Sequence, residues 1–222
     1  IAELWGAAAG RDCDGTVLPS NAAELAEKVY NTYFVVRGDN EWARKHPEET
    51  HRTFLRSDRC IALDTNLDIC PMDGFFAEQI SPDWEQTARW QVFDRTAGKE
   101  VFTWRADESA GVIHVQNTVP YHEYTLNFMA KVIWHPVQNT FHWTCEKQRM
   151  YDPAFPNTAK YIKTFMENWC DGHPETNVVR FTTFLYQFTL IFNERGQEKY
   201  VDWFGYTLAA SPAMLDRFER TH

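Results

Sequence analysis

The feature that most limits the fold is a succession of strand-like runs beginning at Thr87. Runs at 87–94, 100–106, 111–118, 122–135 and 140–150 follow one another at close spacing. The stretches RTAGK, ADESAG, TVPYH and HPVQN punctuate them. Gly, Pro, Asn and Asp are the residues that reverse a chain, so the pattern predicts an antiparallel meander. Two longer strands, 178–193 and 197–209, follow and meet at NERGQ. So many antiparallel strands must close or curve strongly to hide their edges. The predicted fold class is mainly β, a closed or strongly curved barrel-like antiparallel sheet. The alternative is an α+β cone, a curved sheet wrapped around N-terminal helices.

Helical signals flank the strands. Residues 20–34, SNAAELAEKVYNTYF, offer Ser20 or Asn21 as a cap, and Ala22, Leu25, Ala26, Val29 and Tyr30 recur at helical spacing. A second helical stretch over 40–56 is interrupted by Pro47. Residues 57–85 read as irregular. A helix over 157–170 would be capped by Asn157 or Thr158, with Tyr161, Ile162, Phe165, Met166 and Trp169 as its apolar stripe. SPAMLDRFERTH closes the chain as a short helix with Pro212 at its first position. No repeat or linker stands out. The reading is one domain over 1–222, helical over 20–56 and a sheet over 87–209.

Charge and cysteine usage remove several function classes. The net charge of −9 argues against nucleic acid, which needs clustered Lys and Arg. The densest basic cluster, Arg44, Lys45, Arg52, Arg56 and Arg59, is interrupted by Glu41, Glu48, Glu49 and Asp58. An anionic membrane surface is disfavoured for the same reason, and no apolar run reaches transmembrane length. The five cysteines form no CxxC pair, so zinc and redox signatures are missing. Cys145 reads as a buried hydrophobe. Two of Cys13, Cys60 and Cys70 could pair. The chain starts at Ile1 without Met, which leans slightly toward the secretory pathway, and no glycosylation sequon adds support. A homodimer is allowed.

FHWTCEKQRMYD, residues 141–152, alternates His142, Thr144 and Glu146 with Phe141, Trp143 and Cys145. Pairing 140–150 with 122–135 about Gln138–Asn139 sets Lys131 opposite Glu146, a pair typical of a wet face. Trp134, Val132, Ala130, Phe128 and Leu126 then share the inward face with Trp143 and Cys145. His142 has a catalytic claim only if a barrel lumen is polar. His135 and His142 lack a third ligand, so no metal site is expected. His114 reads as an exposed or satisfied histidine.

The last hairpin offers more chemistry. A four-residue NERG loop pairs Gln187 with Asp202, Thr189 with Tyr200, and Thr183 with Tyr206; a three-residue loop would break this set. A desolvated Asp202 among aromatics would act as general acid or base. Tyr206 would assist it, and Tyr200, Gln187, Thr183, Trp203, Tyr186 and Phe188 would contact substrate. No nucleophile elbow, Walker loop, dinucleotide fingerprint or HExxH occurs, so no cofactor is expected.

FTLIFNERGQEKYVDWFGYTLAASPAMLDRF resembles the closing hairpin and tail of SnoaL-like proteins. By position, Asp202 matches their acid/base residue. YTLAASPAMLDRF, with KVYNTYFVVR, resembles the last strand and the opening of lipocalin-like (calycin) barrels, although their Gly-x-Trp is missing. These resemblances imply a cofactor-independent enzyme of secondary metabolism, one that dehydrates, isomerises or cyclises a small hydrophobic polyketide- or terpenoid-like molecule. Lipocalin-like cyclases of hetero-Diels–Alder type are among those relatives. The alternative is a non-catalytic carrier with the same pocket.

Overall fold

The computed structural model describes residues 31–34, 39–133, 149–174, 178–181, 189–202 and 210–222. The chain divides into two compact units, one of residues 52–133 and 190–201 and one of residues 1–51, 134–189 and 202–222.

The first unit is antiparallel. Its strands are β2 (Arg52–Arg56), β3 (Cys60–Ile61), β4 (Asn66–Ile69), β5 (Ile80–Pro82), β6 (Gln91–Asp94), β7 (Lys99–Val101), β8 (Trp104–Asp107), β9 (Val112–Gln116) and β10 (Glu123–Val132). The strand β10 organises them. On one edge it takes β3 at Glu123–Tyr124 and β2 at Asn127–Lys131. On the other it takes β6 at Tyr124–Asn127 and β5 at Ala130–Val132. Ten residues give it room for two short strands on each side, and both ladders leave it no open edge.

The apolar alternation of β10 sends Tyr124, Leu126, Phe128, Ala130 and Val132 to one face, and all five are buried. Phe75 and Trp90 meet Phe128 edge-on, each at 5.8 Å between centroids, the usual aromatic geometry in a core. On the opposite face Thr125 and Met129 are also buried, while Glu123, Asn127 and Lys131 are half-exposed. The wet-face reading therefore holds for the charged positions only. Lys131 lies 3.4 Å from Asp83 and 3.9 Å from Glu85. A separate sheet, β4-β9-β8, buries Ile69, Ile113 and Val115. A hairpin of β12 (Thr189–Phe192) and β13 (Glu198–Asp202) completes the strands on this side of the chain.

The second unit mixes helix and strand. β1 (Asn31–Phe34) pairs in parallel with β11 (Val178–Phe181), Asn31 facing Val178 and Phe34 facing Phe181. The helices are α1 (Asn40–Lys45), α2 (Pro156–Gly172) and α3 (Pro212–Thr221), with a 3-10 turn at Pro47–Glu49. α2 precedes β11 in the chain, the helix-then-parallel-strand order of an α/β unit. Ser211 caps α3 by accepting from Met214 N, and Pro212 opens it.

These observations correct the predicted fold class. The described strands form several small sheets, one of them parallel, and neither a closed antiparallel barrel nor a single curved cone. The meander is correct for the β6–β7 and β8–β9 hairpins and fails at β10, which returns to β6 and β2 instead of pairing next to β9. Residues 31–34 are strand and not the end of a helix, and 52–56 are strand and not helix. The remainder of the expected 20–34 helix, and the 140–148 strand with its Lys131–Glu146 pair, lie outside the described residues.

Candidate active site

The segment that follows β1 meets the first turns of α2. Asp39 caps α1, its Oδ1 accepting from Glu41 N at 2.8 Å and Trp42 N at 2.9 Å. Its Oδ2 accepts from Tyr161 Oη of α2 at 2.8 Å. The Trp42 ring stacks on Tyr161 at 4.2 Å and on His46 at 4.1 Å, and its Nε1 donates to Thr158 Oγ1 at 3.1 Å.

Glu49 anchors the same end. The residue before α2, Phe155, gives no side-chain cap, and the first turn of α2 carries no acid. The buried carboxylate of Glu49 fills that gap. It accepts from Thr158 N at 2.9 Å, from Thr158 Oγ1, and from Asn157 Nδ2 at 2.8 Å. A negative charge there also meets the positive end of the helix dipole. Asn157 and Thr158, expected as caps, are helical residues that donate to a remote one.

His46, Glu48 and Glu49 place three ligand atoms within 4.8 Å of one another. Both Glu49 oxygens are engaged by α2, and His46 stacks on Trp42 with its Nδ1 3.6 Å from Glu48. Each of these groups thus also has a partner in the scaffold.

The hairpin of β12 and β13 carries the residues singled out from sequence. Asn193 N donates to Gln197 O at 2.8 Å, and Gly196 N donates to Asn193 O at 2.9 Å. Gly196 takes the left-handed position at φ 72. This is a three-residue loop with a glycine bulge. The loop is one residue shorter than the four expected from the sequence. Tyr200 and Asp202 lie on β13. Thr183, Tyr186, Gln187, Phe188, Trp203, Tyr206 and His142 lie outside the described residues.

The hairpin is tied down by the loop at 73–79. Buried Gln79 accepts from Phe192 N through Oε1 at 2.9 Å, and Phe76 N donates to Phe192 O at 3.1 Å. Lys199 Nζ lies 3.1 Å from Asp58 Oδ2, donates to Asp73 O at 2.9 Å, and sits 3.8 Å over the Phe75 ring.

Other charged groups have structural partners. Arg52 and Asp83, both buried, pair at 3.0 Å, so Arg52 is no part of a basic surface. His114 lies 2.6 Å from Asp68 and 3.4 Å from Asp107, a satisfied histidine as expected. Ser109, the Ala110 N–H and His114 hold Asp107 down at about 2. Burial would raise the pKa of Asp94, but the Ala97 N–H, His122 and Tyr124 outweigh it and lower it. Cys60 and Cys70 are free thiols and do not pair. Burial first, then Asp73, Asp58 and Cys70, push the Cys60 thiol up, so it is not an activated nucleophile. Among the described residues no helix is long and apolar enough to cross a membrane.

Residues 1–222 match the family model described as the lacto-N-biose phosphorylase N-terminal TIM barrel domain. A 1,3-beta-galactosyl-N-acetylhexosamine phosphorylase of Bifidobacterium longum subsp. longum is 43% identical over 228 residues, covering 99% of this chain and 30% of that protein. One from Lachnoclostridium phytofermentans is 39% identical over 230 residues, covering 99% and 32%. A D-galactosyl-beta-1->4-L-rhamnose phosphorylase from the same organism is 32% identical over 232 residues, covering 100% and 32%. The chain thus spans about a third of the length of these curated relatives. These matches overturn the lipocalin-like and SnoaL-like resemblances, and with them the cyclase, dehydratase, isomerase and carrier expectations. They replace the barrel or cone of antiparallel strands with an α/β barrel.

Proposed function

The chain belongs to the lacto-N-biose phosphorylase N-terminal TIM barrel family, and from that premise we propose that it forms part of a phosphorylase that splits a β-galactosyl disaccharide with inorganic phosphate. In that reaction a phosphate oxygen bonds to the galactose anomeric carbon as the glycosidic C–O bond breaks. The leaving oxygen takes a proton, and the products are galactose 1-phosphate and the free second sugar. Phosphate is a co-substrate here and brings its own nucleophile. The protein must supply a proton donor for the leaving oxygen and hold both reactants in line.

Asp202 is the residue we assign as proton donor. Asp202 lies on β13 and is a carboxylate, a residue type that can give a proton to the leaving oxygen. The single observation that carries the reading is the family match over the whole chain. Identities of 43% and 39% to galactosyl-N-acetylhexosamine phosphorylases, against 32% to the rhamnose-linked one, favour an N-acetylhexosamine as the second sugar.

The test uses the full-length protein with phosphate and either galactosyl-β-1,3-N-acetylglucosamine or galactosyl-β-1,4-rhamnose. Galactose 1-phosphate from the first, faster than from the second, is the expected result. No galactose 1-phosphate from either would overturn the reading. Asp202→Asn should then cost about 100-fold or more in kcat, the scale of general acid catalysis.

A further inference from the structure

The turn that leads into β10 puts a tyrosine where a glycine would be easier. His122 N donates to Val119 O at 3.1 Å and closes a four-residue turn, with Pro120 second and Tyr121 third. Tyr121 has φ 66. A proline followed by a residue of positive φ makes a type II turn, and glycine is its usual third residue because a Cβ there is strained. Packing within the chain does not offset that strain, since Tyr121 is 79% exposed. Strain kept at an exposed aromatic points to a contact beyond these residues.

The turn is firmly held. Tyr121 N donates to Ala62 O at 2.7 Å, and Ala62 N donates to His122 O at 3.0 Å. Val119 N donates to the buried Tyr124 hydroxyl at 2.9 Å, and His122 Nδ1 lies 2.8 Å from buried Asp94. Beside it, Ile61 of β3 faces Glu123 of β10. Strand alternation turns Ile61 and Leu63 outward and buries Ala62 between them. Leu63 is 77% exposed, and Ile61 and Val119 are exposed too. Arg59 and Glu123 pair at 2.7 Å at one end of this patch and neutralise each other. Every one of these residues belongs to the unit of residues 52–133.

We propose that the patch of Ile61, Leu63, Val119 and Tyr121 docks against a part of the full-length polypeptide outside residues 1–222, with the Tyr121 ring as its anchor. Size decides the occupant. A stable contact between separate proteins takes about 20–30 residues a side. Four apolar residues and one ion pair are too few to hold a second copy. A segment of the same polypeptide needs far less, because tethering supplies it at about millimolar effective concentration. The chain covers 30% and 32% of two curated relatives, so the larger part of such a polypeptide lies outside it. Hydrogen bonds that fix the turn in advance also lower the ordering cost of docking. The surface it meets is apolar, with a slot for one aromatic ring. The inference rests on the reading of the chain as part of a longer polypeptide, and not on the reaction assigned to it.

The test puts a benzophenone photo-cross-linker at position 121 of the full-length protein. Irradiation should join it to a peptide outside residues 1–222 of the same chain, read by peptide mass on material that runs as a single chain under denaturing conditions. A cross-link between two chains, one confined to residues 1–222, or none would overturn the inference. A second measurement serves if the cross-linker variant does not fold. Tyr121→Gly removes the ring and suits the turn, so a purely local role for Tyr121 leaves the rest of the polypeptide untouched. Docking predicts instead that amide exchange in at least one peptide outside residues 1–222 rises about 10-fold or more, the scale of losing a central aromatic anchor, while β3 and β10 keep their rates. Unchanged exchange outside residues 1–222 would overturn the inference. Neither readout uses galactose 1-phosphate: a protein that forms the cross-link but no sugar phosphate keeps this inference and loses only the phosphorylase reading.

Discussion

Replacing Glu49 tests how the second unit is held together. Its carboxylate accepts two donors from Thr158, which is fully buried, and one from Asn157, which is exposed. Glu49→Ala leaves the Thr158 N–H and hydroxyl without their acceptor. Hydrogen bonds to a charged group contribute about 1.5–3 kcal/mol each, so two buried ones set a ceiling of about 6 kcal/mol. Two effects reduce it. The Asn157 amide returns to water at little cost, and the vacated space can admit a water that accepts from Thr158. A loss of about 3 kcal/mol is expected. For a chain of this size that lowers the melting temperature by about 6–12 °C. Glu49→Gln keeps one acceptor oxygen and should lose only about 1 kcal/mol. The assay is urea denaturation of wild type, both variants and Thr158→Val, followed by fluorescence. A double-mutant cycle should return a coupling of at least about 1 kcal/mol between Glu49 and Thr158. Glu49→Ala within about 0.5 kcal/mol of wild type, the range of ordinary surface substitutions, would refute the reasoning.

Three further outcomes follow from the charges and rings. Asp83→Ala removes the buried carboxylate that Arg52 and Lys131 share and should lose about 3–5 kcal/mol, whereas Arg52→Met with Asp83→Leu together should lose much less; equal losses in denaturation midpoints would contradict the pair. Asp94 has a folded pKa below its ordinary value, so its contribution is present above the unfolded value and fades as pH falls through the folded one. Asp94→Asn should therefore be less stable than wild type at pH about 7, with the gap closing below pH about 4 in parallel urea titrations; a gap that widens in acid would reverse the sign. Trp42→Ala removes a ring stacked on both His46 and Tyr161 and should destabilise by about 3 kcal/mol, read by calorimetry against a Trp42→Phe control that retains most of the stability.

Local signals were the legible part of the sequence. Pro212 marked the start of α3, and RTAGK and ADESAG marked the turns of two real hairpins. The apolar alternation of β10 told which face is buried. Pairing was not legible, because β10 draws partners from 52–61, 80–82 and 91–94, and periodicity carries no information on which strand lies beside which. The parallel pair was hidden for another reason: NTYF continues the helical spacing of Val29 and Tyr30, so β1 reads as the end of a helix.

The hairpin that carries Asp202 was legible as a hairpin, but its loop reads as four residues in the sequence where Gly196 makes it three. Glu49 was missed, although one signal was available: the helix opening at Pro156 has no acid in its first turn, so its cap had to come from elsewhere.

The central claim is that this chain forms part of a galactoside phosphorylase. The most direct test mixes the full-length protein with galactosyl-β-1,3-N-acetylglucosamine, with and without inorganic phosphate, and follows sugar phosphate by mass. The account predicts galactose 1-phosphate and free N-acetylglucosamine in equal amounts, and only when phosphate is present. Release of free galactose at the same rate with or without phosphate, or no cleavage at all, would contradict it.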